Sequence, residues 1–166
     1  MDQGRVRLEK YIGLEDYHYY ASLVFNESVM NMNLGRTFTK DEADEYFKFM
    51  IDNDKNYEYA GNFKVFIENN NSYLGTATLR LYEDLSGAEI EYMLLPDYWG
   101  QGFGTEVVSC LLKLAANFVS VKEITAITTT NNIHSKKVLI KNGFKSDCIY
   151  KVEENNSFAE LFKKIL

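Results

Sequence analysis

Three glycines stand at alternate positions in Pro96-Asp97-Tyr98-Trp99-Gly100-Gln101-Gly102-Phe103-Gly104-Thr105-Glu106, just ahead of a run with helical apolar spacing. The first N–H groups of a helix have no intrahelical partner and carry partial positive charge. A backbone left bare at Gly102 and Gly104 lets a bulky anion come close to them, and phosphate or pyrophosphate is the natural occupant. The same spacing equally describes a tight strand-to-helix turn that uses glycine for positive φ, and spacing alone leaves both readings open. Two known phosphate loops fit poorly. Nothing in the chain matches Gly-x-x-x-x-Gly-Lys-Ser/Thr. The dinucleotide fingerprint Gly-x-Gly-x-x-Gly fails too, because its third glycine falls on Thr105 counted from Gly100 and on Val107 counted from Gly102.

The elements around the glycines are readable from periodicity. Upstream, "RVRLEKYI" alternates and predicts a strand, and "LEDYHYYASLVF" predicts a helix. Thr39-Lys40-Asp41-Glu42 has the form of a capping box. Ala43, Tyr46, Phe47, Met50 and Ile51 follow on one helical face. The period then changes to two. Phe63, Val65 and Ile67 alternate, an Asn69-Asn70-Asn71-Ser72 turn follows, and Tyr73 to Tyr82 forms the second arm of a hairpin. After Ser86-Gly87, "AEIEYMLL" is a third strand, on which Glu89 and Glu91 share a face. This meander feeds the glycine stretch. Val107, Leu111, Leu114, Ala115 and Phe118 then stripe a helix from Gly104 to Phe118, and "EITAIT" is a short strand. "NIHSKKVLIKNGF" is a helix closed by Gly143 in the left-handed position, and "KSDCIYKVEE" is a strand. In the tail, Phe158, Leu161, Phe162 and Ile165 have helical spacing.

The totals bound the rest. At 166 residues the chain fits one domain, 1–166, with 46% apolar and 14% aromatic residues to build a globular core. A net charge of -6 argues against a nucleic-acid partner. It suits a cationic substrate, and it is also ordinary for a soluble protein. Cys110 and Cys148 form no CxxC, so neither a metal site nor a redox pair is expected, and free thiols fit a reducing cytoplasm. The charged opening "MDQGRVRLEK" carries no secretion signal, and no apolar run approaches a membrane span.

Three segments, in order, resemble the GNAT superfamily of N-acetyltransferases. "YWGQGFGTE" is similar to its coenzyme-A loop, Gln/Arg-x-x-Gly-x-Gly/Ala, in the form found in the branch that acetylates ribosomal-protein N-termini, the RimJ/RimL type. "AEIEYMLLPDYWG" resembles the fourth strand and its connection, and "NNIHSKKVLIKNGF" the Asn-x-x-Ser helix ending in Gly-Phe. The likeness extends over nearly the whole chain. Two departures stand out. Trp99 occupies the Gln/Arg position, and Leu139 stands where many members carry the tyrosine that protonates the leaving thiolate.

The resemblance implies an α/β fold of the GNAT type, a central mixed, mostly antiparallel sheet of about seven strands with helices on both faces. It makes the tail from Ser157 to Leu166 a last strand, against the spacing count. It implies direct transfer of acetyl from acetyl-CoA to a primary amine, with no metal. The amides of Gln101, Gly102, Phe103, Gly104 and Thr105 would hold the pyrophosphate. The backbone of Met93, Leu94 and Leu95 would run beside the pantetheine arm, and Asn132 would hold the coenzyme, cap its helix or do both. Ser135 is the leading donor to the departing thiolate. The attacking amine must be neutral. An α-amine of pKa about 7.8 costs roughly 1 kcal/mol to deprotonate at pH 7, and a lysine of about 10.4 roughly 4.6. A base therefore matters most for lysine-like acceptors, and Glu89 or Glu91 could supply it directly or through water. Glu89 fits the family pattern better. The acceptor, a protein N-terminus or a small-molecule amine, would sit between the first two helices and the last hairpin, in regions made aromatic by Tyr17, Tyr19, Tyr20, Tyr57 and Tyr59. The alternative is a regulatory domain that binds CoA without turnover. Monomer and homodimer both remain open.

Overall fold

A computed structural model describes residues 4–153 and 155–166. One seven-stranded sheet organises them, in the order β1-β2-β3-β4-β5-β7-β6. Its strands are β1 (Val6–Lys10), β2 (Gly61–Ile67), β3 (Tyr73–Leu81), β4 (Gly87–Leu94), β5 (Glu123–Thr129), β6 (Lys145–Val152) and β7 (Ser157–Ile165). Every neighbouring pair is antiparallel except β4–β5, which is parallel. The helices are α1 (Tyr17–Val24), α2 (Glu27–Asn33), α3 (Lys40–Asn53), α4 (Phe103–Ala115) and α5 (Ile133–Lys141).

The helices divide between the two faces. Phe103, Val107, Val108 and Leu111 of α4 and Leu139 of α5 pack with Ala88, Ile90 and Leu94 of β4 in the larger core. On the other face Tyr20, Val24, Met30, Ala43, Phe47 and Met50 gather α1, α2 and α3 over Met93. Successive β4 side chains point to opposite faces. Glu89, Glu91 and Met93 therefore face the α1–α3 side, while Tyr92 packs on the α4 side.

Most elements stand where periodicity put them. The capping box is complete, with Thr39 Oγ1 accepting from the Glu42 N–H at 3.2 Å and the Glu42 carboxylate accepting from the Thr39 N–H at 2.8 Å. Gly143 closes α5 at φ +86°. The tail is a strand, as the family likeness implied, and the helical spacing is overturned. β7 lies between β5 and β6 and bonds to both along its length, an environment that outweighs a four-residue periodicity. The turn into it is built by Asn156 at φ +56° and by Asn155 Oδ1, which accepts from the N–H and hydroxyl of Ser157. Helix α2 has no counterpart in the sequence reading. It is seven residues long, and its signal is the cap, Asn26 Oδ1 accepting from the Val29 N–H at 3.2 Å. On β2, Lys64 falls on the polar phase of the alternation and is nevertheless buried, paired with Asp16 at 2.7 Å beneath α1.

Candidate functional site

The parallel join between β4 and β5 lasts three residue pairs, Gly87–Glu123, Ala88–Ile124 and Glu89–Thr125. Beyond Glu89 the two strands part, while β4 stays paired with β3 as far as Leu94. This opens a wedge in the sheet whose β4 wall carries unused peptide groups. In an antiparallel ladder alternate residues turn both N–H and C=O toward the same neighbour. The Leu95 N–H donates to Leu74 O on the β3 side at 2.8 Å, and the Gly87 carbonyl accepts from the Tyr82 N–H. Met93 shares that phase. Of the three residues expected beside a pantetheine arm, Leu94 is the one whose N–H faces the wedge. Its carbonyl accepts from the Trp99 indole N–H at 2.7 Å, which ties the following loop to the end of the strand.

That loop carries the glycines. Gly100 and Gly102 have φ of +73° and +86°. A side chain at Gly102 would be strained whatever the space around it. Gly104 serves another purpose. It lies inside α4, and a Cβ there would come within 3.3 Å of Val138 on α5, so its bareness lets the two helices pack closely. The N–H groups of Gln101, Gly102, Phe103 and Gly104 have no hydrogen-bond partner among the described residues. The Thr105 N–H donates to the Gly102 carbonyl at 3.1 Å, so that amide is already engaged. Four free amides at a helix start, with open space before Gly102 apart from one arginine nitrogen, suit a phosphate group.

Arg5, which no motif flagged, fastens this loop from outside. Its Nη2 donates to the Gln101 carbonyl at 2.9 Å, its Nε to Glu106 Oε1 at 2.6 Å, and its guanidinium lies 4.4 Å from the centre of the Phe103 ring. Glu106 stands in the first turn of α4, where its negative charge opposes an incoming anion, and the Arg5 ion pair offsets that charge.

At the base of the wedge, Glu89 and Glu91 are joined by Arg80 of β3, whose Nη1 reaches the two carboxylates at 2.9 and 3.2 Å. The Glu89 carboxyl is pushed above the ordinary carboxylate range, first by burial and then by the nearby Glu91, with Arg80 opposing both. A carboxylate so placed is better matched to accept a proton near neutral pH. On the opposite wall, Asn132 caps α5, its Oδ1 accepting from the Ser135 N–H at 3.0 Å. The Ser135 hydroxyl lies 2.9 Å from that of Tyr92, which crosses from β4. Leu139 is fully buried in the core and offers no proton, and His134 is exposed.

The tyrosines of the first helix are packing residues. Tyr17 and Tyr20 pack on Phe47, and Tyr19 on Phe66 and Tyr73. A cavity of about 400 Å³ instead lies where α2 ends, between Asn31 and Asn33 on one side and Asn131, Asn155, Asn156 and Phe158 on the other. No cluster of three or more histidine, cysteine or acidic side chains placed to hold a metal occurs among the described residues, and no helix is long and apolar enough to cross a membrane. Cys110 and Cys148 are free thiols.

Comparison with known proteins agrees with this geometry. Residues 5–145 match the family described as the acetyltransferase (GNAT) domain. A 60-residue segment is 33% identical to an uncharacterized N-acetyltransferase, YoaA, of Bacillus subtilis (strain 168), covering 36% of this chain and about a third (34%) of that protein. Among solved structures, a GNAT-family acetyltransferase from Bacillus anthracis superposes with a TM-score of 0.81 at 19% identity over 98% of this chain and 95% of the other. A Salmonella typhimurium acetyltransferase that modifies the N-terminal serine of ribosomal protein L7/L12 gives 0.81 at 17% identity over 99% and 96%. Spermidine N-acetyltransferase from Vibrio cholerae, in complex with CoA and spermine, gives 0.78 at 13% identity over 97% and 95%. At these identities the structures establish the shared fold.

Proposed function

The chain belongs to the GNAT acetyltransferase family, whose members use acetyl-CoA as the acetyl donor, and from that premise we propose that it acetylates a primary amine by direct attack, with residues 1–166 acting as one catalytic domain. The observation that carries the reading is the wedge. The sheet opens immediately after Glu89, and the opening leads to a loop of free amides at the start of α4. The pyrophosphate rests on the amides of Gln101 to Gly104, and the pantetheine arm lies along β4 with the Leu94 N–H facing it. Glu89, directly or through water, takes the proton that the amine loses as its nitrogen bonds to the thioester carbon. Glu91, held by the same Arg80 nitrogen, sets the charge around it. As the carbon–sulfur bond breaks, the Ser135 hydroxyl supplies the departing sulfur with a hydrogen bond or proton.

The asparagine-lined cavity supports a peptide-like acceptor. Its described lining holds five carboxamide side chains and no carboxylate. Carboxamides donate to and accept from a peptide main chain, whereas a polycation calls for negative charge. A protein N-terminus is therefore the favoured acceptor, which agrees with the RimJ/RimL-like loop. The test is thiol release from acetyl-CoA against peptides with free N-termini, spermidine, an aminoglycoside and free amino acids. Release with the peptides alone is the expected result. Release with spermidine alone would reassign the acceptor, and acetyl-CoA binding without release for any amine would reject the catalytic reading.

A further inference from the structure

Tyr92 sits at the centre of the wedge and has no role in the scheme above. It projects from β4 one residue past Glu91, on the α4 side of the sheet. Its ring lies beside Gly104, where a Cβ would come within 3.6 Å of it, and its hydroxyl meets Ser135 Oγ at 2.9 Å. Forty-three positions separate the two residues in sequence. Their hydrogen bond ties the β4 wall to α5, across the opening where the two halves of the sheet have separated.

We propose that Tyr92 is a positioning residue for Ser135: its phenol donates to Ser135 Oγ and thereby turns the serine's own hydrogen toward the sulfur of the departing CoA. This rests on the reading that Ser135 faces the thiolate. The direction of the bond follows from chemistry. A hydroxyl has one hydrogen and two lone pairs, and a phenol is far more acidic than an aliphatic alcohol. If Ser135 donated to Tyr92, its one hydrogen would be unavailable to sulfur. With Tyr92 as donor, the serine keeps its hydrogen and is also polarised by the bond it accepts. Burial raises the Tyr92 pKa, so the phenol stays protonated across the working pH range. The side chain missing at Leu139 is supplied, in effect, from the opposite wall.

The test is a double-mutant cycle with Tyr92→Phe, Ser135→Ala and the double variant, each checked for an unchanged thermal unfolding midpoint, with kcat and the KM for acetyl-CoA measured separately. Loss of one hydrogen bond to a reacting group predicts that Tyr92→Phe lowers kcat about five- to tenfold while KM stays within about twofold. Ser135→Ala lowers kcat at least as much, and the double variant is no slower than Ser135→Ala alone. If Tyr92→Phe slows wild type and Ser135→Ala by the same factor, or slows neither while Ser135→Ala is slow, the positioning role is overturned and the Ser135 reading stands. If Ser135→Ala is as fast as wild type, the Ser135 reading fails and the role of Tyr92 fails with it.

Discussion

Replacing Arg5 with alanine isolates the loop from its external fastening. The substitution keeps the main-chain N–H that donates to Glu106 Oε2 at 2.9 Å and removes the three guanidinium contacts. The side chain is half exposed, so the ion pair with Glu106 counts for about 0.5 kcal/mol after solvent screening. The bond to the Gln101 carbonyl adds about 1 kcal/mol, and the cation–π contact with Phe103 about 0.5 kcal/mol. Their sum, about 2 kcal/mol, is what holds the loop in shape before the coenzyme arrives. If that order must be restored on binding, CoA affinity falls about 30-fold. Uncovering Glu106 works in the same direction and makes the loss larger at low salt. Titration calorimetry with CoA gives Kd directly, and kcat at saturating acetyl-CoA should be nearly unchanged because Arg5 touches none of the reacting atoms. Arg5→Lys keeps the charge but not the fork, and should fall between the two. A Kd for Arg5→Ala within twofold of wild type, with the protein folded, would refute the idea that the loop is held ready from outside.

Arg5 also illustrates the limit of sequence reading. Its partner Glu106 lies 101 residues away, and nothing local joins them. What local chemistry encodes was legible: the meander through β4, the Thr39 cap, the glycines ahead of α4 and the left-handed end of α5. The tail misled by spacing alone, since residues 158, 161, 162 and 165 lie on one helical stripe, yet divide between the two faces of β7 once it is paired on both sides. Of the candidate site, Glu89 and Glu91 were legible as sharing a strand face, and Asn132 and Ser135 through the family resemblance. Their partners Arg80 and Tyr92 were not, because register between strands and the crossing of a helix are tertiary facts. The engagement of the Thr105 amide by the Gly102 carbonyl likewise belongs to the folded first turn of α4 and has no sequence signal.

Three further outcomes are expected. Turnover should lose rate on the acid side at a pH above the ordinary carboxylate range, as Glu89 takes up a proton. Removing the opposing cation with Arg80→Gln should move that limb upward, and removing the like charge with Glu91→Gln should move it downward. The acceptor's own titration is common to all three proteins, so pH–kcat profiles that coincide would exclude Glu89 as the base. Gly102→Val, strained at φ +86° in the exposed loop, should weaken CoA binding at least tenfold and lower the unfolding temperature modestly, whereas Gly104→Val, pressed against Val138 between two packed helices, should lower it further; an unfolding temperature for Gly104→Val no lower than for Gly102→Val would contradict this division. The Glu42 carboxyl is held down to about 2, first by Arg36 and then by the Thr39 N–H. Its contribution to stability is therefore complete above the unfolded value of about 4.3 and lost as pH falls toward 2. Glu42→Gln should flatten the stability–pH curve in that window, and denaturant unfolding at several pH values would show whether it does.

The wedge has a topological cause. β1 to β4 are joined to one another by antiparallel bonds, and so are β5, β7 and β6. Between them stands the sheet's parallel join, whose two strands the chain can connect only by leaving the sheet, here through α4. Strands twist, and a join of three residue pairs does little to hold two twisted units edge to edge, so they diverge once it ends. A crevice at the carboxyl end of a parallel strand, beside the start of the crossover helix, is where open sheets bind ligands. Here each half brings part of the chemistry to that crevice. Glu89 and the free amides belong to the first, and Ser135 follows the first strand of the second. The relation between the proposed base and the proposed proton donor is therefore set by the short join and by whatever spans the gap above it. At the join, the Tyr82 and Thr125 hydroxyls meet at 2.7 Å. Above it, Tyr92 reaches Ser135. These two bonds brace the candidate site, whose geometry neither half defines alone.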